Sequence, residues 1–162
     1  MKTAVLDLDG VLFNVDERLK LCLGEAGARA VEELAGVKRK QFWDCFLSAK
    51  YMHLDKPNQE LVSYIKKLRS EGVKIVIVTG RREDTQKELT LEQLRRAGVE
   101  FDEIYFRRAG DFRKDHEYKV DIIIKQLIEK GHEIAEVWDD SESVINAVKQ
   151  LIPSAKVVHC KR

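Results

Sequence analysis

The sequence contains little proline and cysteine, and both shortages exclude classes of protein. Its 162 residues include 2 prolines and 3 cysteines, which excludes a collagen-like chain, a proline-rich linker and a disulfide framework. Cys22, Cys45 and Cys160 form no C-x-x-C pair, so the cysteines also do not resemble a structural zinc site. We therefore expect three free thiols and, with them, a cytoplasmic location.

The sequence also lacks an excess of charge of one sign and a long apolar run. Its 29 Lys and Arg residues against 28 Asp and Glu residues give a net charge of +1, unlike a generally basic nucleic-acid-binding surface. No run approaches the roughly 18 apolar residues of a membrane span, and Asp7 and Asp9 precede any stretch resembling a signal peptide. We expect no membrane association, no obligatory protein partner, and a single domain over residues 1–162.

Short apolar runs alternate with amphipathic stretches along most of the chain. This alternation predicts an α/β fold with a doubly wound, Rossmann-like, mostly parallel five-stranded sheet. The predicted strands are Thr3–Asp7, Val73–Thr79, Glu103–Arg107, Glu136–Asp139 and Lys156–Cys160. The predicted helices are Asn58–Ser70, Thr85–Ala97, Glu117–Lys130 and Glu142–Leu151. The second strand is rich in β-branched residues, which is typical of a strand covered on both faces.

The alternation stops between residues 17 and 56. Apolar residues from Leu19 to Leu34 suit one helix, those from Phe42 to Leu47 suit another, and no strand is evident. We expect residues 17–56 to form a small helical insert after the first strand. Such an insert can overhang the carboxyl edge of the sheet as a rudimentary cap.

Carboxylates follow two of the predicted strands. Asp7 and Asp9 stand at the end of the first strand, and Asp139 and Asp140 at the end of the fourth. Because open parallel sheets bind ligands at the carboxyl ends of their strands, these four side chains are expected to meet at one edge. Their repulsion requires a cation or protonation. A carboxylate cluster without His or Cys is typical of Mg²⁺, so Asp7, Asp9, Asp139 and Asp140 are the predicted metal site.

Two of these carboxylates have the spacing for phosphoryl transfer. Asp7 can attack a phosphorus atom in line when the phosphoryl charge is neutralised around it. Asp9 can protonate the departing ester oxygen and later deprotonate the water that hydrolyses the aspartyl phosphate.

Residues after other strands complete this hypothesis. The Thr79 hydroxyl can donate a hydrogen bond to a phosphoryl oxygen, and a turn at Thr79 and Gly80 permits close backbone approach. A positive charge is needed opposite the metal, and either Lys119 or Lys114 can supply it.

The motifs stand in the order and context of a known superfamily. Asp7-Leu8-Asp9-Gly10-Val11-Leu12, Thr79-Gly80-Arg81, Lys119 and Asp139-Asp140 resemble the motifs of haloacid dehalogenase (HAD) superfamily phosphatases. The resemblance implies that Asp7 is the nucleophile and Asp9 the acid/base, and that Thr79 and Lys119 bind the phosphoryl group. It also implies that Mg²⁺ is bound by Asp139, with Asp140 nearby and the backbone carbonyl of Asp9 as a further ligand.

A narrower resemblance concerns the segment after the third predicted strand. Its pattern, Arg107-x-x-Gly110-Asp111-x-Arg113-Lys114-Asp115-x-x-x-Lys119, is similar to that of the 3′-phosphatase domains of bacteriophage polynucleotide kinase-phosphatases. The resemblance assigns the lysine role to Lys119, and it implies a nucleotide or polynucleotide 3′-phosphate as substrate. The substrate-binding residues that it implies are Arg18, Gly80, Arg81, Arg107 and Asp115. Ser141 departs from the pattern, because those domains have an arginine there.

Three alternatives remain at this point. The substrate can instead be a small phosphorylated metabolite. A receiver-type signalling domain also places an acidic cluster, Thr and Lys around Mg²⁺, but its phosphoacceptor would fall within the insert, where Asp44 and Asp55 lie on no predicted strand. A non-catalytic binding module is disfavoured by the intact motifs.

Overall fold

A parallel five-stranded sheet forms the centre of the protein in a computed structural model that describes residues 2–160. The strands are β1 (Lys2–Leu6), β2 (Phe13–Asn14), β3 (Lys56–Pro57), β4 (Lys74–Arg82), β5 (Glu103–Arg107), β6 (Glu133–Asp139) and β7 (Lys156–His159). The helices are α1 (Asp16–Glu25), α2 (Gly36–Phe46), α3 (Gln59–Ser70), α4 (Glu83–Ala97), α5 (Asp115–Ile122) and α6 (Glu142–Leu151). The main sheet has the order β5-β4-β1-β6-β7, and all its neighbouring strands are parallel. The predicted α/β fold is confirmed.

Helices cover both faces of the main sheet. Leu6 of β1 and Ile77 of β4 pack into a core shared with α3, α4 and the insert. Val5 and Val76, the alternate residues of the same strands, pack into a second core with α5 and α6. This arrangement explains why β4 is almost continuously apolar, since both of its faces are removed from water.

β1 lies at the centre of the main sheet, and the later strands are added on both of its sides. From β1 the chain proceeds to β4 and β5 on one side, and it later returns to β6 and β7 on the other side. Such a switch point opens a crevice at the carboxyl ends of the central strands, where α/β proteins bind ligands. Asp7 follows β1 directly and Asp139 ends the adjacent strand β6, so the fold brings the two motifs together.

One predicted loop is part of a strand. We expected the chain to turn at Thr79 and Gly80. This prediction is wrong, because β4 continues to Arg82. Arg82 pairs with Arg107 at the end of β5, so pairing with the neighbouring strand extends β4 beyond its apolar run.

The insert also differs from expectation. The prediction of a single helix from Leu19 to Leu34 is wrong, because α1 ends at Glu25 and Gly27 follows with a φ of 70°. That left-handed conformation favours glycine and stops the helix. The prediction that residues 17–56 contain no strand is wrong at Lys56, where β3 begins. β3 pairs with β2 and so joins the two ends of the insert.

The predicted helix from Glu117 to Lys130 is interrupted. Its α-helical part, α5, begins earlier and ends at Ile122, and a π-helical turn, Ile123–Leu127, and a 3₁₀ turn, Ile128–Lys130, follow.

A disulfide bond joins α1 to α2 through Cys22 and Cys45. The expectation of three free thiols is therefore wrong for this pair, and Cys160 alone is free among the described residues. The cytoplasmic location stays a prediction. It was based in part on three free thiols, and the disulfide removes that argument. In residues 2–160, no helix is both long and apolar enough to cross a membrane.

The disulfide should stabilise the fold measurably. It closes a loop with a sequence separation of 23, and such a cross-link contributes about 2–4 kcal/mol by restricting the unfolded chain. We expect dithiothreitol to lower the free energy of unfolding by this amount in urea titrations. Cys160→Ala is the control and should leave the effect unchanged. Equal urea midpoints with and without reductant would contradict the bond.

Candidate active site

Three carboxylates converge at the carboxyl edge of the sheet. Asp7, Asp139 and Asp140 each offer an oxygen, and these oxygens lie within 4.8 Å of one another. Asp7 and Asp139 are buried. The Asp7 Oδ1 accepts a hydrogen bond from the Leu8 amide at 2.7 Å, and the Asp139 Oδ1 accepts one from the Ser141 amide at 2.9 Å. Local backbone donors therefore orient two of the three carboxylates.

Lys119 places its ammonium group between these carboxylates. Its Nζ lies 3.0 Å from the Asp7 Oδ2 and 2.7 Å from the Asp139 Oδ2. A third carboxylate oxygen, the Asp115 Oδ2, is 3.5 Å away. Because Asp115 and Lys119 are one turn apart, α5 carries the lysine to the edge together with one of its partners.

Burial and the neighbouring charges shift the pKa values of Asp7 and Lys119. It raises the pKa of Asp7 well above its ordinary value, an effect that Lys119 opposes and Asp139 reinforces. Burial alone would lower the pKa of Lys119, but Asp7, Asp139 and Asp115 together raise this pKa well above its ordinary value. Lys119 is thus a cation, and the charged form of Asp7 needs further positive charge.

The donor set fits a hard divalent cation. Asp7, Asp139 and Asp140 supply oxygen atoms only, and their spacing allows one ion to contact all three. An ion there would also offset the repulsion that Lys119 alone leaves between the carboxylates. The carboxylate side chain of Asp9, expected beside them, is not in this group.

Asp9 instead contacts two buried arginines. Its Oδ1 accepts hydrogen bonds from the Arg18 Nη2 at 2.8 Å, the Arg81 Nε at 2.9 Å and the Arg81 Nη2 at 2.7 Å. Both guanidinium groups are fully buried, whereas the Asp9 side chain is 17% exposed. The two arginines therefore bind and orient one oxygen of the Asp9 carboxylate.

Asp55 completes this arginine cluster, and sequence reasoning did not select it as a site residue. Its Oδ1 lies 3.1 Å from the Arg18 Nε and its Oδ2 lies 3.0 Å from the Arg81 Nη2, all fully buried. Gln93 donates to the same Oδ2 at 3.3 Å. Burial raises the pKa of Asp55, while Arg18 and Arg81 oppose that shift. The insert thus supplies both Arg18 and Asp55 to the site.

The remaining predicted residues lie around these two clusters. Thr79 is buried and its Oγ1 accepts a hydrogen bond from the Arg81 amide at 3.0 Å. A Cβ at Gly80 would lie 3.5 Å from the Asp115 Oδ1. The same oxygen is 3.3 Å from the Arg107 Nη2. Arg107 therefore joins the edge through Asp115, and its role toward substrate stays a prediction, as do those of Arg18 and Arg81.

The sequence matches the family model described as the polynucleotide kinase PNKP phosphatase domain over residues 34–158. This range includes Thr79, Lys119 and Asp139, whereas Asp7 and Asp9 precede it. No curated protein sequence matches the chain significantly.

Several solved structures share the fold. One is a chain of the Pnkp1/Rnl/Hen1 complex, with a TM-score of 0.69 and 18% identity, covering 99% of this chain and 46% of that one. This chain thus spans less than half the length of its counterpart. A predicted phosphatase from Clostridium acetobutylicum has a TM-score of 0.67, 14% identity and coverage of 98% and 83%. The class C acid phosphatase from Bacillus anthracis, solved with tungstate, has a TM-score of 0.62, 16% identity and coverage of 99% and 66%.

The arginine cluster predicts a large loss of stability when Asp55 is neutralised. Asp55→Asn keeps the side-chain shape but leaves two buried guanidinium groups with one carboxylate, and breaking a buried ion pair in this way costs about 3–5 kcal/mol. Urea titration should show this decrease in the free energy of unfolding.

Asp44→Asn is the matched control for this experiment. Asp44 pairs with Lys40 at 2.8 Å, but its side chain is 65% exposed, so its loss should change stability by less than about 0.5 kcal/mol. Equal effects of the two substitutions would contradict the buried cluster.

Proposed function

The chain belongs to the family of polynucleotide kinase PNKP phosphatase domains and is a phosphatase of the HAD superfamily, and we propose that it acts through an aspartyl-phosphate on Asp7. The proposed substrate is a nucleotide or polynucleotide phosphate, in particular a 3′-phosphate, and the proposed cofactor is Mg²⁺. The observation that carries this mechanism is the position of Lys119, between Asp7 and Asp139 and beside Asp115.

Asp7 is the nucleophile in this mechanism. A carboxylate oxygen of Asp7 forms a bond to phosphorus, and the bond between phosphorus and the ester oxygen breaks on the opposite side. The Leu8 amide and Lys119 each contact one oxygen of Asp7, which fixes the plane of the carboxylate. This orientation reduces the motion that is needed to reach the in-line geometry.

Asp9 is the acid and base. Asp9 enters the first step protonated and gives its proton to the departing ester oxygen. The carboxylate that remains takes a proton from the water that attacks the aspartyl phosphate, which releases inorganic phosphate and restores both Asp7 and the protonated Asp9. Arg18 and Arg81 bind one oxygen of Asp9. They therefore orient its carboxyl group, and their buried guanidinium groups act on the reaction through Asp9.

Lys119 and Thr79 bind the phosphoryl group in this proposal, through the ammonium of the first and the hydroxyl of the second. Mg²⁺, held by Asp7, Asp139, Asp140 and the backbone carbonyl of Asp9, would neutralise charge on the phosphoryl oxygens. Asp115 accepts from Arg107 and contacts Lys119, and Gly80 leaves space beside it. Arg107, Asp115 and Gly80 thus form the rim that we assign to substrate binding.

The family match supports a nucleotide or polynucleotide end over a small metabolite as substrate, because the matched model describes a polynucleotide kinase phosphatase domain. We also propose that residues 1–162 form one catalytic domain, with residues 17–56 as a small cap. Arg18 and Asp55 connect this insert to Asp9 and Arg81. These ion pairs would hold the proposed cap beside Asp9.

The nucleophile and the acid/base should be separable by experiment. With p-nitrophenyl phosphate, whose leaving group needs no proton, Asp9→Asn should form the phosphoenzyme and hydrolyse it slowly. Intact-mass measurement after acid quench should therefore detect one added phosphoryl group. Asp7→Asn should show none, and both variants should lose at least about 100-fold in steady-state phosphate release.

The controls for this experiment test folding and metal dependence. Asp44→Asn alters an exposed carboxylate on α2 and should retain full activity. Circular dichroism should show the same fold in all variants. EDTA should abolish phosphate release and Mg²⁺ should restore it. Normal turnover by Asp7→Asn would reject the mechanism.

A panel of phosphate esters should identify the substrate class. We expect higher kcat/KM for 3′-phosphorylated oligonucleotides than for 5′-phosphorylated ones, mononucleotides or sugar phosphates. Repeating the assay at increasing salt measures the number of phosphate contacts, because each contact makes binding more sensitive to salt. A preference for sugar phosphates with a flat salt response would instead support the small-metabolite alternative.

A further inference from the structure

Phe112 is the most exposed large hydrophobic side chain of residues 2–160, at 91%. It lies in the loop 108–114, which joins the carboxyl end of β5 to α5. Single exposed hydrophobic residues are common on protein surfaces, so exposure alone assigns no role to it. The contacts of the loop backbone distinguish this residue.

One guanidinium group holds the backbone on both sides of Phe112. The Arg107 Nη1 donates to the carbonyl of Asp111 at 3.3 Å and to that of Arg113 at 2.8 Å. The loop is also closed by Asp111, whose amide donates to the Arg108 carbonyl at 3.1 Å and whose carboxylate accepts from the Arg113 Nε at 3.0 Å. The backbone around Phe112 is thus fixed while the ring stays in solvent.

The same guanidinium connects Phe112 to the candidate active site. The Arg107 Nη2 is 3.3 Å from Asp115, whose other oxygen is 3.5 Å from the Lys119 Nζ, and that Nζ is 3.0 Å from Asp7. Since Phe112 precedes Asp115 by three residues, their Cα atoms are at most about 11 Å apart. Phe112 therefore belongs to the short loop between two rim residues, Arg107 and Asp115.

We propose that Phe112 is a specificity-determining residue, against which the base of the substrate's terminal nucleotide stacks while its phosphate lies at Asp7. This inference rests on the proposed nucleotide substrate. Aromatic faces bind bases of any sequence by stacking. The exposed cations Arg108 and Lys114 lie in the same loop, and a loop with both charge and an aromatic surface suits a nucleic-acid strand.

Kinetics on two substrates test the stacking. We expect Phe112→Ala to raise KM for a 3′-phosphorylated oligonucleotide about ten-fold, with kcat unchanged. For glycerol phosphate, which carries no base, both constants should stay at their wild-type values. Phe112→Tyr keeps an aromatic face and should behave as wild type. An equal change on both substrates, or no change on either, would overturn the inference.

A binding experiment separates this inference from the proposed catalytic function. Phe112→Trp adds an indole at the proposed stacking position. With Mg²⁺ present, and with Asp7→Asn in the same chain to prevent turnover, its fluorescence should be quenched by the same oligonucleotide. Asp7→Asn alone, with Trp43 and Trp138 only, is the control. Quenching of the double variant, without any turnover by Phe112→Trp alone in Mg²⁺, would reject the proposed function and keep the stacking site. Turnover without quenching would reject the stacking site alone.

Discussion

The contact of Lys119 with Asp7 and Asp139 is the interaction on which the site depends. Two buried carboxylates cannot remain charged at one sheet edge unless a cation lies between them. This requirement constrains the fold, because β1 and β6 must be neighbours and α5 must begin at the same edge. The strand order meets the first condition although β1 and β6 are separated by most of the chain. The second condition is met because Lys119, close to the start of α5, contacts both Asp7 and Asp139.

The site consists of two ionic clusters with different balances of charge. Asp9 and Asp55 face Arg18 and Arg81, and the charges of this cluster cancel when both carboxylates are ionised. The cluster is buried and connects the insert to β4, which makes the insert part of the site. In contrast, Lys119 faces more carboxylates than it can neutralise. A divalent cation therefore suits this second cluster, the lysine cluster, which consists of Lys119, Asp7, Asp115 and Asp139. The arginine cluster needs no such ion.

The sequence allowed Asp7 and Asp139 to be selected because each lies at the end of a predicted strand, and strand ends of a parallel sheet converge. Lys119 was distinguished from Lys114 only by the resemblance to the 3′-phosphatase pattern. Asp55 could not be selected in this way. It lies between a 3₁₀ turn, Met52–Leu54, and β3. Its partners Arg18, Arg81 and Gln93 come from three other segments of the chain, so no local periodicity marks it. The Cys22–Cys45 bond and the extension of β4 to Arg82 were not predicted for the same reason, because each depends on a partner distant in sequence.

The excess negative charge of the lysine cluster bears on how a phosphate ester is bound. Asp7, Asp115 and Asp139 surround one ammonium group, and Asp140 lies beside them. A phosphate dianion that approaches this arrangement meets net repulsion, which is strong where water is excluded. The carboxylates that suit a divalent cation therefore oppose a phosphate ester when no cation is bound. Positive charge added at these oxygens favours the charged form of Asp7 and attracts the phosphate. In the proposed mechanism, substrate affinity and activation of Asp7 would therefore depend on the same cation. The net charge of +1 for the whole chain averages over a site with a strong local excess of negative charge.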